Sequence, residues 1–190
     1  MKNRFGLFIG IGIVALLLVI VGATLWGTYN SFVTKSQNID AQWAQVETQY
    51  QRRFDLIPNL VNAVKGIMTQ EQTVFSQIAE ARSKYAGAQT TDEKAAAGGQ
   101  VEAALARLLV VMEAYPQLRS IEAVTQLMDE LAGTENRISV ERQRYNNLVR
   151  DYNTAIKKFP TNLMAGMFNF SERSYFESVT GAGTVPKVQF

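Results

Sequence analysis

Apolar residues recur at alternating steps of three and four from Ile121 to Phe159, and this spacing predicts one long helix with a single buried face. Only Glu135 and Arg142 interrupt the apolar series. Ser120 suits the N-cap of this helix, and Phe159 suits its end because a residue before proline avoids the α conformation. The series comprises Ile121, Val124, Met128, Leu131, Glu135, Ile138, Arg142, Tyr145, Val149, Tyr152, Ile156 and Phe159.

A second series with the same spacing runs from Ser36 to Ile67 and predicts another long helix. Arg53 is the cation within it. Pro58 also lies inside the series. Because proline removes a backbone donor and crowds the preceding turn, we expect a kink or a short break near Asp55–Ile57.

Two capping-box patterns predict further helix starts, at Thr69 and at Thr90, each followed three residues later by Gln or Glu. The first leaves open whether residues 69–87 form a separate helix or continue the preceding one. The second predicts a helix that Gly98–Gly99 weakens in its early part. This helix should end at Tyr115, which precedes a proline.

Residues 5–27 form an uncharged, mostly apolar segment of about 23 residues, long enough to span a hydrocarbon core of about 30 Å. A cleaved signal peptide is the alternative, but its apolar region is usually about 7–15 residues long, so we predict an uncleaved anchor. Trp26 and Tyr29 suit the membrane–water interface at the outer, C-terminal end of this segment. Lys2 and Arg4 precede the segment, which places the N-terminus in the cytoplasm and the bulk of the chain outside it.

These patterns predict an all-α fold, in which an N-terminal transmembrane helix is followed by an antiparallel up-and-down bundle of three to four long helices. The predicted parts are a basic tail (1–4), a transmembrane anchor (5–28), a helical bundle (29–160), a C-terminal packing segment (161–180) and a tail (181–190).

Composition narrows the possible chemistry. Apart from Lys2 and Arg4, basic and acidic residues are equal in number, so there is no electrostatic case for binding nucleic acid. The absence of cysteine and histidine excludes disulfides, thiolate nucleophiles, Cys/His zinc sites and Ser-His-Asp triads. We therefore predict no catalytic residues, no metal site and no cofactor.

The charged residues on the apolar faces, Arg53, Glu135 and Arg142, form the first candidate site. If the two long helices are antiparallel, pairing residue 67 with 121 sets Arg53 opposite Glu135, whereas pairing 36 with 159 sets it opposite Arg142. We favour a structural role, in which an Arg53–Glu135 ion pair selects one helix alignment, and not a catalytic role.

Polar residues around the expected kink form a second candidate site. Arg52, Asp55, Pro58 and Asn59 either make a notch for a partner or satisfy backbone groups that the proline frees.

An aromatic and Met-rich stretch after Pro160 is the third candidate site. It either folds back to cap the bundle or presents an apolar patch to the membrane or to another subunit. The residues proposed for that contact are Met164, Met167, Phe168, Phe170, Tyr175 and Phe176.

Several ordered blocks of sequence resemble the LemA family and together cover most of residues 29–178. They include the stretches at 51–61, 113–116, 130–138, 151–153 and 159–162. The resemblance implies a bacterial membrane protein with an all-helical bundle and no assigned catalytic residues. It also implies links to membrane organisation in some relatives and to neighbouring membrane metalloproteases in others.

The leading functional prediction is a non-catalytic scaffold, anchored in the bacterial cytoplasmic (inner) membrane, that self-assembles or organises membrane proteins. The expected partners are membrane lipid, further copies of the chain and a possible membrane protein, with no nucleic acid. The alternative is an adaptor or regulator of a membrane protease or envelope stress system. An enzyme that uses carboxylates only is a more distant alternative.

Overall fold

The computed structural model describes residues 2–176, with side chains from Gly10 onward. Over this range the chain forms helices and no strands, which confirms the predicted all-α class. The predicted tail at 181–190 and the end of the segment at 161–180 lie outside the described residues. The elements are α1 (Lys2–Lys65), α2 (Gln72–Gly87), α3 (Thr91–Met112), a 3-10 helix (Pro116–Ser120), α4 (Glu122–Lys157) and α5 (Thr161–Met167).

Helix α1 contains both the apolar N-terminal segment and the helix expected to begin at Ser36. It stays helical through Pro58, so the short break expected near Asp55–Ile57 does not occur, while the kink stays a prediction. Ile57 and Leu60, on either side of the proline, are buried. We infer that their packing outweighs the loss of one backbone hydrogen bond.

Only one of the two predicted capping boxes forms. At α3, the Glu93 backbone amide donates to Thr90 Oγ1 (3.2 Å) and the Thr90 amide donates to Glu93 Oε2 (3.0 Å). Helix α2 is separate from α1, but its N-cap is Glu71, which makes no side-chain capping hydrogen bond. The N-cap predicted at Thr69 is therefore wrong.

The remaining helix ends differ from the predictions by a few residues. Helix α3 ends at Met112, three residues before Tyr115. Ser120 does not cap α4, because it lies in the 3-10 helix and its hydroxyl donates to the Gln117 carbonyl (2.7 Å). Helix α4 ends at Lys157, and the side chain of Phe159 is exposed.

The described residues divide into two compact units. The bundle unit comprises Ala41–Asn146 with Ser174–Phe176, and the anchor unit comprises the described residues up to Asp40 with Asn147–Arg173. In the bundle unit, α1 and α4 are antiparallel, as shown by the ring contact of Trp43 with Tyr145 (centroids 5.6 Å apart) and the pairing of Arg53 with Glu135.

Helix α3 runs parallel to α1 in the bundle unit, since Lys94 pairs with Glu47 and, further along both helices, Glu102 pairs with Tyr50.

The bundle unit has an apolar core. The core is built from side chains of α1, α2, α3, α4 and the 3-10 helix: Val46, Tyr50, Ile57, Leu60, Ile78, Val101, Leu105, Leu108, Leu118, Val124, Leu131 and Ile138.

Two helices of the described chain are long and apolar enough to cross a membrane, α1 over Gly10–Lys65 and α3. The apolar stretch of α1 is wholly exposed, as lipid-facing side chains would be. That of α3 is partly buried and supplies Val101 and Leu108 to the core. Exposure therefore makes α1 the better candidate for a membrane-spanning helix.

Candidate functional site

The bundle unit contains a network of charged side chains on three helices. Arg53 on α1 is only 4% exposed, and its Nη2 donates to Glu135 Oε2 on α4. The structure therefore places Arg53 in the alignment that sets residue 67 opposite 121. The Glu135 side chain is 45% exposed, so the pair is buried at the arginine end and open to solvent at the other.

Glu102 on α3 lies at the centre of this network. Arg142 Nη2 donates to Glu102 Oε1, Arg142 Nη1 lies 3.4 Å from Glu102 Oε2, and the Tyr50 hydroxyl donates to Glu102 Oε1 (3.2 Å). Arg53 Nη1 lies 3.8 Å from the same Oε1 atom, within ion-pair distance but too far for a hydrogen bond. Glu102 thus faces both arginines, and Arg142 pairs with it.

Sequence reasoning missed Glu102 because it belongs to neither of the two long apolar series. The charges within those two series nevertheless gave a signal that could have pointed to it. Two arginines but only one glutamate lie on those faces, and an unpaired buried charge is costly. A second acid from another helix was therefore required.

Burial and charge set the protonation of the network. Burial raises the pKa of Tyr50, and the nearby Glu102 raises it further, so the phenol stays neutral at physiological pH. Burial alone would lower the pKa of Arg142, but Tyr50 and Glu102 outweigh this effect and raise it. The arginine therefore stays charged.

The network is better suited to holding helices in register than to proton transfer. Its two arginines and two glutamates neutralise each other, and the buried phenol strongly favours its protonated form. A nucleophile or general base would need to be poised near neutral pH. Within the described range, no group of three or more Asp or Glu side chains could hold a metal ion.

Phe176 is part of the bundle core and not of an outer apolar patch. Its ring stacks on Trp43 (centroids 5.4 Å apart) and lies 4.7 Å from the Arg142 guanidinium carbon. The Asn146 side chain fixes its backbone, since Nδ2 donates to the Phe176 carbonyl (3.0 Å) and Oδ1 accepts from its amide (2.7 Å).

The other residues of the Met-rich stretch divide by burial. Met164 is buried, and Phe170 packs edge-on against Phe32 in the anchor unit with centroids 5.2 Å apart. Met167, Phe168 and Tyr175 are exposed. These three remain available for contact with a membrane or a subunit.

The residues around Pro58 do not join the charge network. Arg52, Asp55 and Asn59 are exposed, and Pro58 is half-buried. Gln51 Nε2 donates to Asp55 Oδ1 (2.9 Å), and Asn59 Nδ2 lies 3.4 Å from the Asp55 carbonyl oxygen. Partner docking at these positions stays a prediction.

Comparison with known proteins identifies the family of this chain. Magnetosome protein MamQ 2 of Paramagnetospirillum magneticum is 29% identical over 188 residues, covering 85% of this chain and 69% of that protein. Magnetosome protein MamQ of Magnetospirillum gryphiswaldense is 28% identical over 200 residues, covering 92% and 74%. The sequence model of the LemA family matches residues 42–190. The apolar N-terminal helix and this match together indicate a membrane-associated helical protein, and the chain belongs to the LemA family.

Proposed function

We propose that this protein is a non-catalytic scaffold anchored in the bacterial inner membrane by the N-terminal part of α1. Its copies associate with one another and organise other membrane proteins. The N-terminus is cytoplasmic, and the bulk of the chain is extracytoplasmic.

The packing of the anchor unit carries this proposal. Tyr29, two residues beyond the apolar segment, makes a ring contact with Phe168 (centroids 5.1 Å apart). Further along α1, Phe32 packs on Phe170, and Asp40 pairs with Arg173 at 3.2 Å. The chain leaving the apolar segment is thus part of a packed unit, as suits a protein that holds others at a fixed place on a membrane.

The charge network of the bundle unit supports a non-catalytic role. Arg53, Arg142, Glu102 and Glu135 are engaged with one another, and a partly buried ionic network of this kind can fix helix register. The relatives named above are named for the magnetosome and not for a reaction. A structural role for this chain is consistent with those names.

Co-purification of two tagged copies tests the association of copies. Full-length chains with different tags would be expressed in one cell and extracted in mild detergent, and one tag would be used for capture. We expect the second tag to be recovered with the first. It should not be recovered when the two tagged chains are expressed in separate cells and their detergent extracts are mixed. Recovery of a single tagged copy with another membrane protein would instead support the adaptor function.

The absence of cysteine makes the orientation directly testable. Ser76 is exposed on α2, and Ser76→Cys changes one atom. We expect a membrane-impermeant maleimide to label this variant in intact spheroplasts. Labelling only after the membrane is opened would show that the bundle unit is cytoplasmic.

A further inference from the structure

A thirteen-residue stretch of the anchor unit, Phe159–Ser171, carries no charged residue. Large apolar side chains nevertheless point outward from it: Phe159 is 80% exposed, Leu163 64% and Met167 70%. They are spaced four residues apart, and Leu163 and Met167 lie one turn apart on α5. Contiguous exposed apolar surface of this kind marks an interaction site.

The packing of α5 keeps this face turned outward. Met164 and Ala165 are buried. The helix ends in a Schellman motif in which Asn169 has φ 58°, its amide donates to the Gly166 carbonyl (3.4 Å), and the Phe170 amide donates to the Ala165 carbonyl (2.9 Å).

The position of α5 identifies what covers this face. Phe168, which follows α5, lines a cleft with Gly22, Leu25 and Trp26, near the outer end of the apolar segment of α1. Phe159, which precedes α5, lines a second cleft with Gly27. Both ends of the short helix therefore lie at the level where the span leaves the hydrocarbon core.

We propose that α5 lies in the membrane–water interface and inserts Phe159, Leu163 and Met167 among the lipids surrounding its own anchor. This inference rests on the proposed anchoring by α1. An interfacial helix buries its apolar face about 5–10 Å into the boundary between headgroups and acyl chains. Lys157, the last residue of α4, pairs with Glu172 at 2.8 Å, whereas Lys158, directly before Phe159, is exposed. A lysine at this level can reach lipid headgroups while its stem remains in the apolar zone.

Site-directed spin labelling of the full chain tests the proposal. Because the protein has no cysteine, single Cys variants at Phe159, Leu163 and Met167 each carry one nitroxide. All three side chains are exposed, so the labels should leave the core intact. Leu17→Cys, in the apolar segment, is the lipid reference, and Ser76→Cys on α2 is the aqueous reference. The chains would be reconstituted in phosphatidylcholine and phosphatidylglycerol vesicles.

We expect labels at the three sites to show strong relaxation by oxygen and loss of relaxation by a water-soluble nickel complex, as at Leu17. Nickel accessibility equal to that at Ser76 would overturn the proposal. Protection from both reagents, with dipolar broadening that disappears on dilution with unlabelled protein, would also overturn it, in favour of a second copy on this face. An aqueous label at Leu17 would instead refute the anchoring itself.

Discussion

The backbone of Gly98 on α3 lies against the ring of Tyr50 on α1, so closely that a Cβ on Gly98 would be 2.6 Å from the Tyr50 hydroxyl oxygen. Tyr50 has no exposed surface, and its hydroxyl is hydrogen-bonded to Glu102 and Arg142. The ring therefore has little room to move. Glycine at position 98 lets α3 approach α1 closely enough to bring Glu102 into the charge network.

Gly98→Ala should therefore destabilise the protein although alanine favours helices. We expect a loss of about 1–3 kcal/mol from overpacking, measured by thermal unfolding in mild detergent. Gly133→Ala on α4 is the matched control, because a Cβ there would meet no atom within 4 Å. The control should gain up to about 1 kcal/mol. Equal gains for both variants would contradict the close packing at Gly98.

Loss of Glu102 should cost more than loss of Glu135. Glu102→Gln leaves the part-buried Arg142 without its carboxylate partner and removes a second carboxylate from beside the buried Arg53, and should cost about 3–5 kcal/mol. Glu135→Gln removes a half-exposed carboxylate and leaves Glu102 within ion-pair distance of Arg53, so it should cost about 1 kcal/mol. Chemical unfolding of the two variants under one set of conditions measures the difference. The reverse order would show that Glu102 is not the central acceptor.

A double-mutant cycle measures the Arg53–Glu135 pair itself. Arg53→Met and Glu135→Leu should be non-additive by about 0.5–3 kcal/mol, because each removes the partner of the other. Effects that add within measurement error would mean that the pair contributes no coupling in solution.

Stability should fall as the pH rises above about 10, where tyrosines of an unfolded chain ionise. Burial, followed by the nearby charge of Glu47, raises the pKa of Tyr85, and burial also raises that of Tyr50. The native state therefore holds these protons after the unfolded chain has released them, and the stability they contribute below pH 10 is lost progressively above it.

Tyr85→Phe isolates this effect, because the buried Tyr85 hydroxyl has no hydrogen-bond partner among the described residues. At neutral pH the variant should be as stable as the parent, or more stable by up to about 1 kcal/mol. Its alkaline loss of stability, followed by circular dichroism, should be shallower. An unchanged pH profile would contradict the burial of this hydroxyl.

Thr90, the N-cap of α3, should contribute more to stability than Thr69, which has the same sequence pattern before α2. Thr90→Ala removes the acceptor of the Glu93 amide and should cost about 1 kcal/mol. Thr69→Ala, at the capping box that does not form, should change stability by no more than about 0.5 kcal/mol. Unfolding midpoints of the two variants provide the comparison, and a larger effect at Thr69 would argue that α2 begins there in solution.

The main helices were predictable because their apolar spacing is long and regular. Two buried residues on α4, Val124 and Ile138, belong to the series read from the sequence. Helix boundaries were less predictable, since local signals compete with packing. Pro58 suggests a break, yet buried neighbours keep α1 helical through it.

The charge network was only partly predictable for a related reason. Arg53 and Glu135 stand out as charges on apolar faces of the two longest helices. Glu102 and Gly98 acquire their roles from a third helix, and from the sequence alone Gly98 reads only as a weak point. The outward face of α5 was also hidden, because an apolar stretch does not show which of its side chains a fold will bury.

The absolute mass of the full-length protein in mild detergent, determined by light scattering with the detergent contribution subtracted, tests the central claim most directly. One chain has a mass of 21.2 kDa. A self-assembling scaffold predicts a single uniform species containing more than two copies. A monomer or dimer at every protein concentration would contradict the scaffold and favour an adaptor that acts through a different membrane protein.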